Sequence, residues 1–494
     1  MNSTYQPVSE TEPQLSNQEL KPKSSTLILT PAQKEAVRQI KEFALSDKSC
    51  FILTGSAGTG KTTIIQSICD ELRQLHIKTH LCAPTGRASR ILRQKTGYDA
   101  VTIHSSIYTL DKLEVRQETS DANDPSLRYY FPLKADQPSQ AVWIVDESSM
   151  VGDTEVKTDT LHFGSGRLLT DLLHYLRLDR QTHVHSGLKV LFVGDPIQLP
   201  PVGSNQSALD PKLLRSKLGR APRHLHLDQV LRQAKDSGIL SAATRIRDAV
   251  EHNQLYRAKL EYNSDVQAIK QPEVFQKLLK GFNQELSCVA ITYSNAEAYR
   301  IIQTFRELLF GDESTPLQQN ERLIVMKNHH GYQLNNGDQL RVISPILQSR
   351  NTTSSLKGSQ PIQLQFIQVE AIDLSEPQRG SGQLWLLENT LWLRDREEPA
   401  QLTQALIIDF ERRLKEYSIA KQLQIPKRGS RAFSRFLMSD PFFNALKVRF
   451  AYAMTCHKAQ GGEWEEVILK PKSLKRIKSE IDAKCETLIY CDWL

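Results

Sequence analysis

A glycine-rich octapeptide constrains the fold of this chain more than any other feature of its sequence. Residues 55–62 read Gly-Ser-Ala-Gly-Thr-Gly-Lys-Thr and match the pattern G-x-x-x-x-G-K-[ST]. The apolar residues 51–54 before it predict a buried strand, and the apolar-periodic residues 62–75 after it predict a helix. Glycines let such a loop curl until its N–H groups point at phosphate oxygens, and the start of a helix adds positive charge. The motif with these flanks predicts a nucleotide-binding loop.

The side chains of this loop have separate expected roles. Lys61 is expected to reach the β- and γ-phosphates as a catalytic cation, and the Thr62 hydroxyl is expected to ligate Mg²⁺. The competing interpretation, a glycine-rich turn that matches by chance, is weakened by the strand and the helix on either side. The predicted nucleotide-binding residues of the segment are Gly55, Ser56, Ala57, Gly58, Thr59, Gly60, Lys61, Thr62 and Thr63.

An acidic pair, Asp146 and Glu147, follows the apolar strand predicted at 142–145. Such a pair suits a metal ligand, here Asp146, next to a general base that activates water, here Glu147. In isolation an acidic pair at a strand end is about as often a solvated turn. The sequence has neither a D-x-x-G pattern at this point nor a guanine-reading N-K-x-D, which favours ATP over GTP.

Further apolar segments indicate the fold class. Strands predicted at 80–83 and 190–193 end at small or acidic residues and alternate with helical segments, as in a doubly wound parallel sheet. A second α/β unit is predicted from a strand at 288–292 and a helix at 296–309. From about residue 337 the period switches towards two, which indicates a β-rich insertion.

Composition excludes several classes of protein. The chain has 494 residues, 39% hydrophobic and 24% charged, which is typical of a globular protein with about three or four domains. Its net charge of +7 permits an anionic partner without indicating one. No apolar run approaches the roughly 18–20 residues of a membrane helix, and the N-terminus lacks signal-peptide features. A cytoplasmic protein without a membrane partner is expected.

With both sites placed, the remaining motifs resemble those of superfamily 1 DNA helicases, specifically the RecD-like group of superfamily 1B. The similarity spans about residues 30–470. The matching segments are 30–33 (Thr-Pro-Ala-Gln, Q motif), 83–88 (Ala-Pro-Thr-Gly-Arg-Ala, motif Ia), 102–105 (Thr-Ile-His-Ser), 145–150 (Val-Asp-Glu-Ser-Ser-Met, motif II), 194–203 (motif III), 230–233 (Val-Leu-Arg-Gln, motif IV) and 453–461 (motif V).

The resemblance implies an ATP-dependent helicase or translocase that moves on single-stranded DNA, 5′ to 3′, by hydrolysing ATP between two RecA-like domains. It implies that Gln33 reads adenine, that Gln198 senses the γ-phosphate and that Arg232 is an arginine finger. Gln460 and Gly461 would also contact the nucleotide. On spacing alone, Arg232 is more simply a surface cation, because residues 211–235 form a basic stretch.

For DNA, the resemblance points to a path across both domains. Small hydroxyl groups suit phosphate oxygens, and imidazole or proline rings pack on bases without reading sequence, so binding to single strands and junctions would be sequence-independent. A single histidine is more often a packing residue than a base-stacking one. The expected DNA-binding residues are Pro84, Thr85, Thr102, His104, Thr455 and His457.

The resemblance also implies a domain plan. A strand-separating pin is expected within the inserted subdomain, with Tyr129, Tyr130 and Phe131 as wedge residues or, equally, as core. The plan comprises a RecA-like P-loop domain at 27–107 and 141–224, the pin-like subdomain at 108–140, a second RecA-like domain at 225–336 and 441–494, and an SH3-like β insertion at 337–440. The polar composition of residues 1–26 predicts a disordered lead-in before it.

One expected motif is not found. Family members carry an arginine in a T-R-A-like run after motif V, and the last forty residues contain no such run. Loss of a transition-state arginine costs on the order of a thousandfold in rate. Two functions are therefore compatible with the sequence. One is an active helicase whose sequence is cut short or whose partner supplies the missing part, and the other is a truncated or degenerate nucleotide- and DNA-binding protein with little or no ATPase activity.

Overall fold

Two compact units make up the chain in the computed structural model. The first comprises residues 1–233 and 418–439, and the second comprises residues 234–417 and 440–494. The structure describes all residues except 1–27, 110–113, 119–125, 137, 139, 156–160, 180–186, 202, 205, 229–237, 253, 255–261, 286, 330, 356–359, 395–399, 429, 463, 471–487 and 493–494. The expected lead-in at 1–26 thus lies outside the described residues.

The first unit alternates strands and helices as the apolar pattern predicts. Its elements are α1 (Pro31–Leu45), β1 (Cys50–Gly55), α2 (Lys61–Gln74), β2 (Thr79–Ala83), α3 (Gly86–Thr96), β3 (Ala100–Thr102), α4 (Ile103–Ile107), β4 (Glu114–Glu118), β5 (Ser126–Phe131), β6 (Val142–Val145), β7 (Leu161–Phe163), α5 (Leu168–Tyr175), β8 (Lys189–Gly194), α6 (Pro211–Leu218) and β9 (Arg223–Leu227).

A six-stranded parallel sheet organises this unit, in the order β3-β2-β6-β8-β1-β9. Strands β1 and β6 are buried along their whole length, which is why they read as continuous apolar runs. Helices α1 and α2 add apolar faces to the same core, including Ile40, Phe43 and Ile65. Because β8 separates β1 from β6, the ends of these three strands lie side by side.

The first unit extends further along the chain than expected. The predicted boundary at 224/225 falls inside β9, which pairs in parallel with β1 and places Leu227 beside Gly55. The first of the two compact units extends to Gln233. The alternating Arg-His-Leu-His-Leu pattern of β9 is that of a half-exposed edge strand. Such a pattern does not reveal which sheet the strand joins.

The inserted subdomain is a three-stranded sheet, β4-β5-β7. It takes its third strand, Leu161–Phe163, from outside the expected range 108–140. Phe131 is buried and stacks on Phe163, with ring centroids 4.9 Å apart, so of the two alternatives, wedge or core, it is a core residue. Tyr130 stacks on His162 at 5.0 Å. The side chain of Tyr129 lies outside the described residues.

The part of the chain that follows β9 forms two further sheets. The elements that follow β9 are α7 (Gly238–Glu251), β10 (Val266–Ile269), α8 (Gln271–Asn283), β11 (Cys288–Thr292), α9 (Asn295–Phe310), β12 (Arg322–Val325), β13 (Gln339–Val342), β14 (Gln348–Ser354), β15 (Ile362–Asp373), β16 (Ser381–Leu387), α10 (Ala400–Ala420), α11 (Arg431–Ser439), β17 (Val448–Phe450), β18 (Ala453–Thr455), α12 (Cys456–Ala459), β19 (Glu466–Lys470) and β20 (Leu488–Asp492).

One of these sheets is mixed and the other antiparallel. In the first, ordered β10-β20-β19-β11-β18, strand β11 runs parallel to β18 and β19. The second is ordered β14-β15-β13-β12-β17, and β16 also pairs with β15. The predicted α/β class, with a parallel nucleotide-loop sheet and a β-rich insertion in the second unit, is confirmed.

The β-rich part differs from the expected range 337–440 at both ends. Strands β12 and β17, at 322–325 and 448–450, belong to the antiparallel sheet, and residues 418–439 group with the first unit. Strand β12 is fully buried, so its sequence resembles that of a parallel core strand although it pairs antiparallel. Burial on both faces removes the alternation that would have identified it.

Candidate nucleotide-binding site

The loop at the end of β1 has the backbone geometry of an anion site. Gly58 and Gly60 have φ angles of +82° and +83°, in the left-handed region that favours glycine. Helix α2 begins at Lys61 with Gly60 as its N-cap, no side-chain cap and no acidic residue in its first turn. The first N–H groups of a helix have no intrahelical partner, so this terminus is suited to phosphate oxygens.

Lys61 lies across the loop. Its Nζ donates to the carbonyl oxygens of Gly55 at 2.8 Å and Ser56 at 2.9 Å. The Thr59 hydroxyl donates to the Ser56 carbonyl at 2.9 Å, and Thr59 is buried. The loop thereby keeps its shape through its own contacts and carries a cation. The expected contact of Lys61 with the β- and γ-phosphates stays a prediction.

Gln33 braces the loop from helix α1. Its Nε2 donates to the Thr59 carbonyl at 3.2 Å, and its Oε1 accepts from the Thr30 N–H at 3.0 Å. The Thr30 hydroxyl in turn accepts from the Gln33 N–H, which completes a capping box. Both ends of the buried amide are therefore bound to protein. Gln33 thus joins the start of α1 to the loop, and its expected contact with adenine stays a prediction.

Asp146 and Glu147 stand at the end of β6 in a strained turn. The Glu147 N–H donates to Asp146 Oδ1 at 2.9 Å, and Glu147 has a φ of +51°, which is uncommon for a residue with a side chain. Burial and the charge of Asp146 raise the pKa of Glu147 to about 7. Burial also raises the pKa of Asp146, while the Lys61 ammonium opposes both shifts. A carboxylate with a pKa near neutrality suits a general base.

Asp195, which follows β8, is a site residue that sequence reasoning missed. It is buried, its Oδ1 accepts from the Ile197 N–H at 3.1 Å, and its carbonyl accepts from the Gln198 N–H at 3.2 Å. It therefore shapes the turn that carries Gln198, and its charge adds to the raised pKa of Glu147. The available signal was the position of this acidic residue, which follows the apolar run 190–193 and Gly194.

The donor set fits a divalent cation. A hydroxyl at Thr62 and two acidic residues at Asp146 and Glu147 supply oxygen ligands, the class that Mg²⁺ prefers. Burial, and then the charge of Asp146 beside it, raise the pKa of Glu147, and a bound cation would offset that charge. Thr62 and Asp146 remain the predicted metal ligands.

The DNA-binding candidates of the first unit have local structural roles. The Thr85 hydroxyl accepts from the Ala88 N–H and caps α3, and Thr102 caps α4 in the same manner through Ser105. His104 packs against Tyr108 and Phe163, with centroids 5.5 and 5.2 Å apart. These contacts hold the start of two helices at the edge of the sheet, where Pro84 also lies partly exposed.

The remaining candidates lie in the second unit or outside the described residues. Thr455 ends β18 and precedes α12, which carries an exposed His457. Gly461 has a φ of +73° and open space around the position a Cβ would take. Gln460, beside it, is partly exposed. Arg232 lies outside the described residues, so its predicted finger role stays a prediction.

Comparisons with known proteins agree with the motifs. A family model described as an AAA domain matches residues 33–204. The ATP-dependent RecD2 DNA helicase of Deinococcus radiodurans is 31% identical over 198 residues, which is 39% of this chain and 21% of that protein. The ATP-dependent DNA helicase Pif1 of a Psychrobacter species is 26% identical over 317 residues, 58% of this chain and 43% of the relative.

A solved structure of a Bacteroides Pif1 helicase, described as a complex with ADP-AlF3 and ssDNA, is also similar. It is 16% identical with a TM-score of 0.40, and the match covers 90% of this chain and 86% of that chain. The chain spans between 21% and 43% of the length of the two curated relatives named above.

The fold and the loop define the first unit as a P-loop nucleotide-binding domain of α/β class. Within that class, the chain is similar to superfamily 1B DNA helicases of the RecD-like and Pif1-like kind, so the resemblance inferred from its motifs is confirmed. None of the helices in the described part of the chain combines the length and apolarity needed to cross a membrane.

Proposed function

We propose that this chain is an ATP-dependent DNA helicase or translocase that moves 5′ to 3′ on single-stranded DNA. One observation carries the proposal. Three neighbouring strands of one parallel sheet, β1, β8 and β6, end respectively at the loop with Lys61, at the turn with Gln198 and at the pair with Glu147. A cation, an amide and a carboxyl group of pKa about 7 at one sheet edge suit phosphoryl transfer to water.

Each side chain has a distinct task in this proposal. Lys61 and the N-terminus of α2 bind the phosphates, and Glu147 takes a proton from the attacking water. Gln198, held by the Asp195 turn, positions that water or senses the terminal phosphate. A Mg²⁺ bound by Thr62 and Asp146 would supply positive charge to the phosphate oxygens.

The DNA part of the proposal rests on the motifs and on the names of the relatives. Both curated relatives described above are called ATP-dependent DNA helicases. Contacts from Pro84, Thr85, Thr102, His104, Thr455 and His457 to phosphates and bases would be sequence-independent, and binding would weaken as salt rises.

Arg232 is proposed as the arginine finger that stabilises charge on the transferring phosphoryl group. Kinetics of the Arg232→Ala variant test this role. Turnover should fall far more than ATP affinity, and an equal loss of both would contradict the assignment.

Strand polarity is tested by unwinding of duplexes that carry either a 5′ or a 3′ single-stranded tail, with ATP and Mg²⁺. We expect strand release from the 5′-tailed substrate only, and none with Lys61→Ala. Release from the 3′-tailed substrate alone would reverse the polarity. Absence of release from both, with ATP and DNA still bound, would favour a nucleotide- and DNA-binding protein without helicase activity.

A further inference from the structure

Residues 418–439 carry a one-sided charge that the proposed function does not use. The segment contains five basic residues and no acidic residue, although the whole chain has 63 basic and 56 acidic side chains. It runs from the end of α10 through α11 and groups with the first unit. The basic residues are Lys421, Lys427, Arg428, Arg431 and Arg435.

Three of these cations are exposed and lack a counter-ion. Within the described residues, Lys421, Lys427 and Arg435 are exposed and form no ion pair. Some other arginines of the chain are ion-paired. Arg38 on α1 pairs with Glu35 and Glu42, and the buried Arg413 on α10 pairs with Asp409 and Asp440. Exposed positive charge without counter-ions favours an anionic partner.

We propose that the exposed cations of residues 418–439 bind the phosphate backbone of double-stranded DNA, in addition to the single-strand path. This inference rests on the proposed function for the identity of the polyanion. The segment would hold duplex DNA while the motif residues engage the single strand. Its contacts carry no sequence information, because they address phosphates.

Duplex DNA fits the segment better than single-stranded DNA. Sequence-tolerant single-strand sites combine cations with aromatic side chains on which bases stack. The aromatic residues of this segment are Phe433, which is buried, and Phe436, which is half-buried. Phosphate contact without a stacking surface is the mode that a closed duplex permits.

A lipid surface fits less well. Ile419, Leu423 and Ile425 are exposed, and basic helices with an apolar face do bind anionic membranes. Helix α10 ends at Ala420, however, so Leu423 and Ile425 lie beyond it. They therefore cannot extend an apolar helical face.

The test is binding of a blunt duplex and of a single-stranded oligonucleotide without nucleotide, as a function of salt. The variant replaces Lys421, Lys427 and Arg435 with Gln. These side chains are exposed and unpaired, so the fold should be retained. The control carries Arg38→Gln, Arg73→Gln and Lys212→Gln, which removes the same charge from exposed positions elsewhere in the first unit.

We expect duplex affinity to fall at least about tenfold at low salt in the variant and much less in the control. The slope of log K against log salt should fall by about 0.9 for each lost phosphate contact, or about 2–3 in total. Binding of the single strand, and the ATPase activity that it stimulates, should stay near wild type.

Unchanged duplex binding would overturn the inference. An equal loss of duplex affinity in the control would overturn it as well, and so would an equal loss of single-strand affinity in the variant. The same holds if the variant loses affinity only for anionic vesicles. DNA binding is measured without nucleotide, so it does not depend on ATP hydrolysis. A wild-type protein that fails to hydrolyse ATP would contradict the proposed function, and the duplex-binding result would still test this inference.

Discussion

The backbone of Glu147 is strained, and the surroundings of its side chain disfavour the charged form of the carboxyl group. Its φ of +51° lies in the left-handed region, where a non-glycine residue costs on the order of 1–3 kcal/mol. Burial and the neighbouring Asp146 add an electrostatic cost, seen in a pKa of about 7. Strain at a position of this kind is typical of a functional residue that the surrounding structure holds in place.

The Glu147→Gln variant should therefore be more stable than wild type above neutral pH, in buffer without nucleotide or metal. The folded-state pKa of about 7 exceeds the ordinary glutamate value of 4.5. Below about pH 4.5 the carboxyl is protonated in both states and imposes no penalty. The penalty grows as pH rises to about 7, and then reaches up to about 3 kcal/mol.

Denaturant unfolding of the first unit at pH 5 and pH 8 measures this effect. The exposed Glu42→Gln serves as a control and should show little change between the two values. A Glu147→Gln variant no more stable than wild type at pH 8 would argue against the raised pKa.

Sequence reasoning succeeded for residues whose positions in the fold follow from the pattern along the chain. Lys61, Thr62 and Glu147 lie at the ends of strands that the apolar runs identify, so their place at one sheet edge could be predicted. The partner of the Gln33 amide could not be predicted, because only folding brings Thr59 next to Gln33. The burial of Phe131 likewise depends on the distant Phe163.

At the scale of elements, one buried carboxylate fastens the three-stranded sheet to the body of the first unit. Asp171 on α5 accepts from the Tyr108 hydroxyl at 2.7 Å, from the Ser165 N–H at 2.9 Å and from the Ser165 hydroxyl at 2.6 Å. Gly164 passes so close to Asp171 and Tyr108 that a Cβ there would meet both. The link joins the end of α4, the turn after β7 and α5.

Replacement of Tyr108 by Phe should remove this link and keep the ring packing. One acceptor position of a buried carboxylate then loses its donor, which costs about 1–3 kcal/mol. Denaturant unfolding measures the loss. Tyr175→Phe, whose ring packs on Trp143, is the control and should cost less. Equal losses in the two variants would contradict the anchoring role of the Tyr108 hydroxyl.

Elements were predictable where one local signal sufficed. Strands β1, β6 and β8 are fully or almost fully buried and short, so an apolar run identifies them. Strand β7 was missed, and the predicted domain boundary divided β9. The sheet to which each strand belongs depends on a partner that is more than 30 residues away for β7 and more than 160 residues away for β9.

At the scale of the whole molecule, the motifs divide between two units. The loop, the acidic pair and the Gln198 turn lie in the first, and Thr455, His457 and Gln460 lie in the second. The family model described as an AAA domain covers only part of the first unit, whereas the similarity to the Psychrobacter Pif1 helicase spans 58% of the chain. The proposed function therefore draws on residues of both units.

Steady-state ATP hydrolysis, with and without a single-stranded oligonucleotide, tests the central claim most directly. It compares wild type with Glu147→Gln and with the control Glu42→Gln, and ATP binding is measured in parallel. The account predicts hydrolysis stimulated by DNA in wild type and in the control. It predicts a loss of about a hundredfold or more in Glu147→Gln with ATP binding retained. A wild-type protein that binds ATP and DNA without stimulated hydrolysis, or an active Glu147→Gln variant, would contradict it.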